Sequence, residues 1–262
     1  GDNHRIIPPM NESFPSVFEV YAHEYDLITN AAQREPHHAA EVAAMIARFA
    51  PASVLDAGCA TGLTTLLFAR QGVAAVGLDR SPRILAVARQ TRCPEGLPIS
   101  YRRGTFEDLP KSLRNRFDLV VCLANAIAGV GTVARLNLAL RNFSAALRPG
   151  GHLVLQMLNF AVVKENTLLP VKATHNDGLV YERFSERRGK TLAIYVTRAD
   201  FSRTPPTFEV FRHSFGSFTP EQVTGSIARA GFTDLARFGD LLFTRRFSRR
   251  SRDLVIAARR PA

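Results

Sequence analysis

The strongest constraint on the fold of this chain is a regular alternation of short apolar segments with helical patterns between residues 53 and 160. This alternation is typical of βαβ units, in which helices cover both faces of a parallel sheet and leave its strands almost continuously apolar. Five segments fit that description: SVLDA (53–57), VAAVGLD (73–79), PISYRRG (98–104), FDLVVCL (117–123) and GHLVLQML (151–158). The sequence therefore predicts a doubly wound α/β sheet.

The segment before these strands is predicted to form two helices over residues 11 to 49. Apolar and phenolic side chains recur in its first part at three- and four-residue steps, which indicates one apolar helix face. They are Phe14, Val17, Phe18, Tyr21, Tyr25 and Ile28. Pro36 is then expected to open the second helix, because proline is favoured in a first helical turn.

The segment after the strands changes its period. Residues 161–218 alternate apolar and polar side chains, which predicts an antiparallel insertion. Residues 219–222 form a capping box in sequence and open a helix that is expected to stop at Gly231. Two more strands, around 241–247 and 253–257, are predicted to complete the sheet.

These patterns divide the chain into three parts. Helices at 11–50 would form a lid, residues 51–160 and 219–262 would form the α/β domain, and residues 161–218 would form an inserted roof over a pocket. A chain of 262 residues that is 46% hydrophobic can bury one large core with such an insertion.

Composition argues against several classes of protein. No apolar run approaches the roughly 18 to 20 residues that span a bilayer, and the first residues lack the order of an export signal. A soluble, cytoplasmic protein without a membrane partner is therefore expected. The three cysteines Cys59, Cys93 and Cys122 lack the C-x-x-C spacing of zinc or redox sites, so no metal site is predicted.

The net charge of +11 raises the question of an anionic partner. Only four of the 34 basic residues are lysine, and such a bias fits codon composition as well as it fits phosphate binding. The denser basic runs, at 183–190 and 245–252, are expected to be solvated surface. A surface that binds nucleic acid or another polyanion, or a rim for an acidic substrate, remains the alternative.

A binding site is predicted at the carboxyl end of the first strand, where open α/β sheets bind nucleotides. There the strand runs into a turn of small residues that would let a ligand approach backbone amides. A dinucleotide site would need G-x-G-x-x-G to hold a pyrophosphate, but Leu63 stands in place of the third glycine. Asp56, just before the turn, would repel a pyrophosphate and attract an ammonium group. The turn therefore favours a nucleoside that carries an amino-acid tail and no phosphate.

The next two strand ends add a carboxylate and an aromatic ring. Asp79 ends the second strand, where it can accept hydrogen bonds from both hydroxyls of a ribose. After the third strand, Phe106 is placed to stack on an adenine beside backbone amides. Three candidate contacts at three consecutive strand ends are more specific than any one of them.

Five segments in this order resemble the motifs of class I S-adenosylmethionine-dependent methyltransferases. They are VLDAGCATG (54–62), VGLDRSP (76–82), GTFEDLP (104–110), FDLVVCLANAIAGV (117–130) and LRPGGHLVLQ (147–156). The resemblance covers about residues 14 to 258. It implies an enzyme that uses S-adenosylmethionine as its cofactor. It also implies a Rossmann-like sheet of seven strands in the order 3-2-1-4-5-7-6, with the last strand antiparallel.

The resemblance also implies roles for individual residues. The residues predicted to contact the cofactor are Asp56, Gly58, Cys59, Ala60, Thr61, Gly62, Asp79, Arg80, Thr105, Phe106, Glu107, Leu123 and Tyr25. Among them, Asp79 would bind the ribose, Phe106 and Glu107 would lie beside the adenine, and Leu123 would line the pocket near the sulfonium. Two positions depart from the family pattern: Ala60 stands where many members have glycine, and Thr105 stands where an aspartate commonly meets the adenine amine.

Residues on the acceptor side come from the fourth strand and from the outer segments. CLANAIAG (122–129) is similar to the C-L-G-N-S-x-A-H stretch of glycine/sarcosine N-methyltransferase-like proteins, in which the asparagine faces the acceptor. Asn125 is therefore predicted to be catalytic, together with Tyr21 and His213; His23 and Tyr25 are further candidates for a base. The end of the fifth strand, 158–160, lacks an arginine to bind an amino-acid carboxylate, so glycine is not predicted as the acceptor.

The predicted function is in-line transfer of a methyl group to nitrogen or oxygen of a small molecule. One alternative, prompted by the arginine runs, is methylation of RNA or another polyanion. The N/D-P-P-Y/F tetrapeptide of enzymes that methylate base amino groups is absent after the fourth strand. The other alternative is a non-catalytic protein that binds S-adenosylmethionine or S-adenosylhomocysteine. The sequence makes no prediction about oligomeric state.

Overall fold

The computed structural model describes residues 16–262 and contains two β-sheets. Their strands are β1 (Ser53–Ala57), β2 (Ala74–Asp79), β3 (Ile99–Arg103), β4 (Phe117–Cys122), β5 (Leu147–Leu158), β6 (Leu168–Asn176), β7 (Leu179–Arg188), β8 (Thr191–Asp200), β9 (Thr207–Gly216), β10 (Thr233–Phe238) and β11 (Asp253–Arg259).

The larger sheet has seven strands in the order β10-β11-β5-β4-β1-β2-β3. Strands β1 to β5 pair in parallel, whereas β11 is antiparallel to both β5 and β10. The predicted order 3-2-1-4-5-7-6 is therefore confirmed, with β10 and β11 as the sixth and seventh strands of this sheet. The order reverses between β1 and β4, and open α/β sheets bind ligands at such a point, beyond the carboxyl ends of the strands.

Helices cover both faces of this sheet. They are α3 (Ala31–Phe49), α4 (Leu63–Arg70), α5 (Pro82–Thr91), α6 (Val133–Ala146) and α7 (Pro220–Arg229). Two short helices, α1 (Val17–Val20) and α2 (Tyr25–Thr29), precede them and pack on the second sheet. Val54 of β1 packs with α3 and α4 on one face, and the adjacent Leu55 packs with α6 and α7 on the other. Among residues 16–262, no helix is long and apolar enough to cross a membrane.

Two of the helix starts follow the signals in the sequence. The Ser81 hydroxyl accepts a hydrogen bond from the Ile84 amide at 3.1 Å, and Pro82 occupies the first turn of α5. At α7 the capping box is complete, because the Gln222 side chain and the Thr219 hydroxyl each accept a hydrogen bond from the other residue's backbone N–H.

The prediction of a strand at 241–247 is wrong. The sixth strand of the large sheet is Thr233–Phe238, and the chain then turns at Asp240. The Asp240 carboxylate accepts hydrogen bonds from the backbone amides of Thr244 and Arg245, at 3.0 Å each. This side-chain cap holds the segment in a loop, although its leucines and phenylalanine suit a strand.

The two predicted N-terminal helices are also corrected. Residues 11–15, including Phe14, lie outside the described residues. The first stripe is divided into α1, a 3-10 turn at Ala22–Glu24 and α2, because the chain bends at Tyr21. The long helix begins at Ala31, after Asn30 in a left-handed conformation, so that Pro36 lies inside α3 rather than at its start.

The insertion is an antiparallel sheet in the order β6-β7-β8-β9. We call the face of this sheet that packs against residues 17–29 its inner face. Residues paired across β7, β8 and β9 form rows of side chains on that face. The rows are Tyr181–Arg198–Glu209, Arg183–Val196–Phe211 and Ser185–Ile194–His213. Val17 and Ile28 are buried against Val196 and Phe211, so the N-terminal segment and the inserted sheet share an apolar core.

Candidate functional site

The loop after β1 is hydrogen-bonded to the end of β2. The Asp79 carboxylate accepts hydrogen bonds from the backbone amides of Ala60 at 3.1 Å and Ser81 at 2.9 Å. Burial raises the pKa of Asp79. Each of its oxygens forms one of these bonds, and a carboxylate oxygen can accept a second one. Asp79 therefore lies at the carboxyl edge of the sheet with acceptor capacity left.

Glycine is required at two positions of this loop, for reasons of packing as well as conformation. Gly58 has a φ of +85°, and a Cβ built on it would lie 2.7 Å from the Ala126 Cβ and 3.2 Å from the Phe106 ring. A Cβ on Gly62, with a φ of +86°, would overlap the Tyr101 ring. The loops that follow β1, β3 and β4 thus meet at Gly58, which brings two of the predicted contacts, Gly58 and Phe106, together.

Two alanines of the site adopt a conformation that L-residues rarely take. Ala60 has a φ of +48° and Ala124 a φ of +51°. Such strain costs of the order of 1 kcal/mol or more per residue and clusters at functional sites. A glycine would fit at Ala60 without strain, which agrees with its frequency at this position in the family that the loop resembles.

Three predicted cofactor residues in this loop have their side chains turned into the protein. Asp56 is 3% exposed and accepts a hydrogen bond from the Thr65 hydroxyl at 2.6 Å. The Cys59 thiol is buried with Leu85 and Tyr101. The Thr61 hydroxyl donates to Asp26 at 2.6 Å. Only the backbone of Cys59 and Thr61 remains for a ligand, and the ammonium contact expected of Asp56 stays a prediction.

The segment after β3 is fixed to α6. The Asn142 side chain donates hydrogen bonds to the carbonyls of Phe106 and Glu107, at 2.9 Å each, and Glu107 pairs with Arg135 at 2.7 Å. The Thr105 hydroxyl accepts a hydrogen bond from the Asp108 amide at 3.0 Å. Phe106 is half-buried at Gly58, where its ring is held, whereas Thr105 and Glu107 are engaged in local contacts.

Asn125 is held in place by β5. Its side-chain oxygen accepts a hydrogen bond from the Leu158 amide at 3.2 Å, and the Ala124 amide donates to the Gln156 side chain at 2.6 Å. Among residues 16–262, the Asn125 amide nitrogen donates no hydrogen bond to protein, so a donor remains. Leu123, which directly follows β4, is buried in the same cluster as Leu63 and Val121.

The N-terminal segment and the inserted sheet bring two more predicted residues to this edge. Burial raises the pKa of the Tyr25 phenol to about 12, and the charge of Asp79 adds to the rise, so Tyr25 lies near the end of β2. Burial and the charge of Arg80 lower the pKa of His213. The Phe18 ring lies between them, 5.1 Å from Tyr25 and 6.5 Å from His213.

Tyr21 and His23 are placed differently. The Tyr21 hydroxyl donates to Glu209 at 2.5 Å, and the Arg198 guanidinium lies over its ring. Burial raises the pKa of Tyr21 to about 12, so its proton is retained at neutral pH. The His23 side chain is 72% exposed and pairs with Glu24. The catalytic role of Tyr21 stays a prediction, and the contacts observed here are those of a structural residue.

Sequence reasoning missed the polar network around Arg198. This arginine is 5% exposed and pairs with Glu24 at 3.1 Å and Asp200 at 3.5 Å, while Tyr181 donates to Glu24. A charged residue at an inward position of a period-two strand is a signal for such a network, but the register that pairs β7, β8 and β9 is not visible in the sequence.

A second missed contact joins the N-terminal segment to the loop after β1. Asp26 of α2 accepts hydrogen bonds from Thr61 and from Arg92 at 2.5 Å, and Arg92 also donates to the Thr61 carbonyl at 3.1 Å. The N-terminal segment is therefore bonded both to the candidate site and to the inserted sheet.

The described residues 16–262 contain no cluster of three or more His, Cys, Asp or Glu side chains arranged to hold a metal ion. The arrangement can instead hold a nucleoside through Asp79, the backbone of the loop after β1 and the Phe106 ring. Asn125 follows β4 at the same edge of the sheet, and His213 lies on the inner face of the inserted sheet.

Comparison with known proteins gives a family match. Residues 54–151 match a family described as "Methyltransferase domain". A ubiquinone biosynthesis O-methyltransferase from Alkalilimnicola ehrlichii is 33% identical over 138 residues, which cover 47% of this chain and 52% of that protein. A dTDP-3-amino-3,6-dideoxy-alpha-D-glucopyranose N,N-dimethyltransferase from Streptomyces fradiae is 33% identical over 135 residues, 50% of this chain and 51% of that protein. The chain thus spans about half the length of these curated relatives.

A solved structure extends the likeness to almost the whole chain. The amino pentose methyltransferase of calicheamicin biosynthesis from Micromonospora echinaspora, solved with S-adenosylmethionine bound, is 25% identical with a TM-score of 0.67. The match covers 96% of this chain and 100% of that one. The matched domain at residues 54–151, the relatives and the sheet order together support the class I S-adenosylmethionine-dependent methyltransferase superfamily.

Proposed function

We propose that this chain transfers a methyl group from S-adenosylmethionine to nitrogen or oxygen of a small-molecule acceptor. The observation that carries the proposal is the position of Asp79. Its carboxylate fastens the loop after β1 to the end of β2 and keeps acceptor capacity at the edge of the sheet. A ribose offers two neighbouring hydroxyl donors that match this capacity.

The residues present fit a phosphate-free nucleoside better than a dinucleotide. Gly58 has no Cβ, so the Phe106 ring and Ala126 close around it at the point where an adenine would lie. Leu63 opens α4 where a dinucleotide site needs glycine for a pyrophosphate. The remaining proposed cofactor contacts are Tyr25, Asp56, Arg80, Glu107, Leu123 and the backbone of Cys59, Ala60, Thr61, Gly62 and Thr105.

S-adenosylmethionine supplies a methyl group that its sulfonium already activates, so the protein needs chiefly to align the acceptor and exclude water. The acceptor's lone pair forms the new bond to the methyl carbon while the carbon–sulfur bond breaks, and its electrons pass to sulfur. An acceptor that carries a hydrogen must also lose a proton.

Asn125 and His213 are proposed to act on the acceptor. The free donor of the Asn125 amide can hold an acceptor oxygen or nitrogen, because its carbonyl oxygen is already fixed to β5. The lowered pKa of His213 keeps its imidazole neutral at pH 7, and a neutral imidazole can accept the proton that the acceptor releases. Tyr21 is proposed to act in the network around Arg198 instead.

A small acceptor is supported by the position of the inserted sheet and by the relatives. Strand β9 packs against the 3-10 turn Ala126–Val130, which follows Asn125, so the inserted sheet stands over the acceptor side. The curated relatives bear the names of a ubiquinone biosynthesis O-methyltransferase and an amino-sugar N,N-dimethyltransferase.

The proposal is tested by calorimetry with S-adenosylhomocysteine. The wild type is expected to bind it, and Asp79→Ala to weaken binding by at least about tenfold, because hydrogen bonds to a charged group are worth about 1.5 to 3 kcal/mol each. Asp118→Ala is the matched control. Its carboxylate bonds Ser53 and Arg148 at the start of β4, away from the site, and its loss should leave affinity unchanged. Normal binding by Asp79→Ala would refute the ribose contact.

A further inference from the structure

Two arginines beside the candidate site have no anionic partner in the protein. Arg34 lies in α3 and Arg183 in β7. The Nε atom of each is buried, and neither atom has a hydrogen-bond partner among residues 16–262. Neither guanidinium belongs to an ion pair with a carboxylate in that part of the chain. Burying a charge without a partner is costly, so the arrangement calls for an explanation.

The two guanidinium groups lie near each other, around Tyr25. Burial and the positive charge of Arg34 lower the pKa of Arg183. Both arginines also act on the Tyr25 phenol, which is influenced by Asp79 as well. His38, one turn after Arg34, has its pKa lowered to about 4 by burial and by Arg34, so it is neutral and offers no negative charge. Two positive charges therefore lie near the buried Tyr25 phenol.

Carboxylates near this charge already have partners. Glu41, whose pKa is affected by the Arg34 charge, pairs with His37 at 3.1 Å. Asp26 is bonded to Thr61 and Arg92, and Asp79 is bonded to the amides of Ala60 and Ser81. On the same inner face of the inserted sheet, Arg198 has the carboxylates of Glu24, Asp200 and Glu209 around it. The contrast between Arg198 and Arg183 on one face shows that pairing is available there and that Arg183 lacks it.

Arg183 belongs to the acceptor side of the site. It stands in the row Arg183–Val196–Phe211, next to the row that ends in His213. The pKa of Arg183 is affected by the charge of Arg34 and by the Tyr25 phenol, and not by Asp56 or Asp79 at the strand ends proposed for the nucleoside.

We propose that Arg34 and Arg183 together bind an anionic group, a carboxylate or a phosphate, of the methyl acceptor. This inference rests on the proposed function and narrows it to an anionic substrate class. Guanidinium groups suit this task because their planar donors bind two oxygens at once. The anion would supply the negative charge that neither arginine receives from a carboxylate among residues 16–262.

The test uses inorganic phosphate and acetate as probes on protein saturated with S-adenosylhomocysteine. Phosphate or acetate is expected to bind to the complex and raise its Tm. Arg183→Met and Arg34→Met should each weaken that binding by at least about tenfold. Arg183→Lys should weaken it less, because it keeps the charge and loses only the planar fork. Without anion, Arg183→Met should keep or raise the Tm, since an unpaired buried charge is removed.

Arg212→Met is the matched control. Its Nε atom is likewise buried without a partner, but Arg212 pairs in register with Tyr195 on the opposite face of the inserted sheet. Anion binding should stay within about twofold of the wild type, a difference of roughly 0.4 kcal/mol.

Three results would overturn the proposal. One is a wild-type complex that binds neither probe, and another is an Arg212→Met variant that loses binding as Arg183→Met does. The third is that phosphate competes with S-adenosylhomocysteine and that both arginine variants bind S-adenosylhomocysteine tenfold more weakly. In that case the two arginines would bind the carboxylate of the methyl donor. Failure of the wild type to bind S-adenosylhomocysteine would instead reject the proposed function, so the two failures are distinguishable.

Discussion

At the scale of single residues, burial decides which polar groups of the site can meet a ligand. Asp56 is the next-to-last residue of β1 and Asp79 is the last residue of β2. The first is enclosed by α4, whereas the second accepts hydrogen bonds from the loop after β1. The enclosed carboxyl is costly to ionise. Burial raises its pKa to about 6, with a further contribution from the charge of Asp79.

This shift predicts a pH dependence of stability. Asp56 binds its proton more tightly in the folded chain than in the unfolded one. Its contribution to the stability of the fold is therefore complete below pH about 4 and is lost as pH rises through about 6. Asp56→Asn cannot ionise, so it should not show the decrease of about 3 kcal/mol in the free energy of unfolding that is expected of the wild type. The asparagine side chain also keeps an oxygen that can accept the hydrogen bond from Thr65.

Urea unfolding of both proteins at several pH values between 4 and 7 measures this effect. The stability of Asp56→Asn relative to the wild type is expected to increase over that interval. A difference that stays constant with pH would show that Asp56 ionises normally in the folded protein.

Residue identities were more predictable than residue contacts. Asp79, Gly58 and Phe106 were indicated by their spacing from strand ends, which the chain fixes locally. Cys59 and Thr105 had the same kind of support, but their side chains point to Tyr101 and to the Asp108 amide. Side-chain direction depends on packing partners distant in sequence, so spacing alone did not determine it.

At the scale of elements, the first four strands were predicted to within one residue at each end, whereas β5 begins at Leu147, four residues before its predicted start. The outer elements were predicted less well. The segment 241–247 has strand composition but is held in a loop by Asp240, and α3 begins five residues before Pro36 despite the preference of proline for first turns. In both cases a local hydrogen bond or a tertiary contact outweighs propensity.

The N-terminal segment and the inserted sheet are predicted to depend on Arg198. Arg198→Met would leave the carboxylates of Glu24 and Asp200 without their shared partner, so residues 17–29 should detach more readily from the inserted sheet. Hydrogen exchange of that segment should accelerate, and the Tm should fall by about 2–4 °C for each kcal/mol of stability that is lost.

Arg203→Met provides the comparison, because Arg203 is 66% exposed and also pairs with Asp200. Its exchange pattern should match the wild type, since exposed ion pairs contribute little. Equal exchange of residues 17–29 in Arg198→Met and in the wild type would mean that the apolar contacts of Val17 and Ile28 suffice.

At the scale of the whole molecule, the site is assembled from three regions that are far apart in sequence. The loops after β1 to β4 supply the proposed nucleoside contacts, the N-terminal segment supplies Tyr25 and Arg34, and the inserted sheet supplies Arg183 and His213. The net charge of +11 is spread over the chain, and several of its arginines have acidic partners, as Arg148 has Asp118 and Arg245 has Asp240. Charge alone therefore does not identify a nucleic-acid surface.

The central claim is that the strand ends around Asp79 bind a phosphate-free nucleoside that carries an amino-acid tail. A crystal structure of the full chain with S-adenosylhomocysteine tests it most directly. The account predicts ribose hydroxyls within hydrogen-bond distance of Asp79, the purine beside Phe106 and the sulfur facing Asn125. Density for the nucleoside elsewhere on the protein, with Asp79 still bonded only to Ala60 and Ser81, would contradict it.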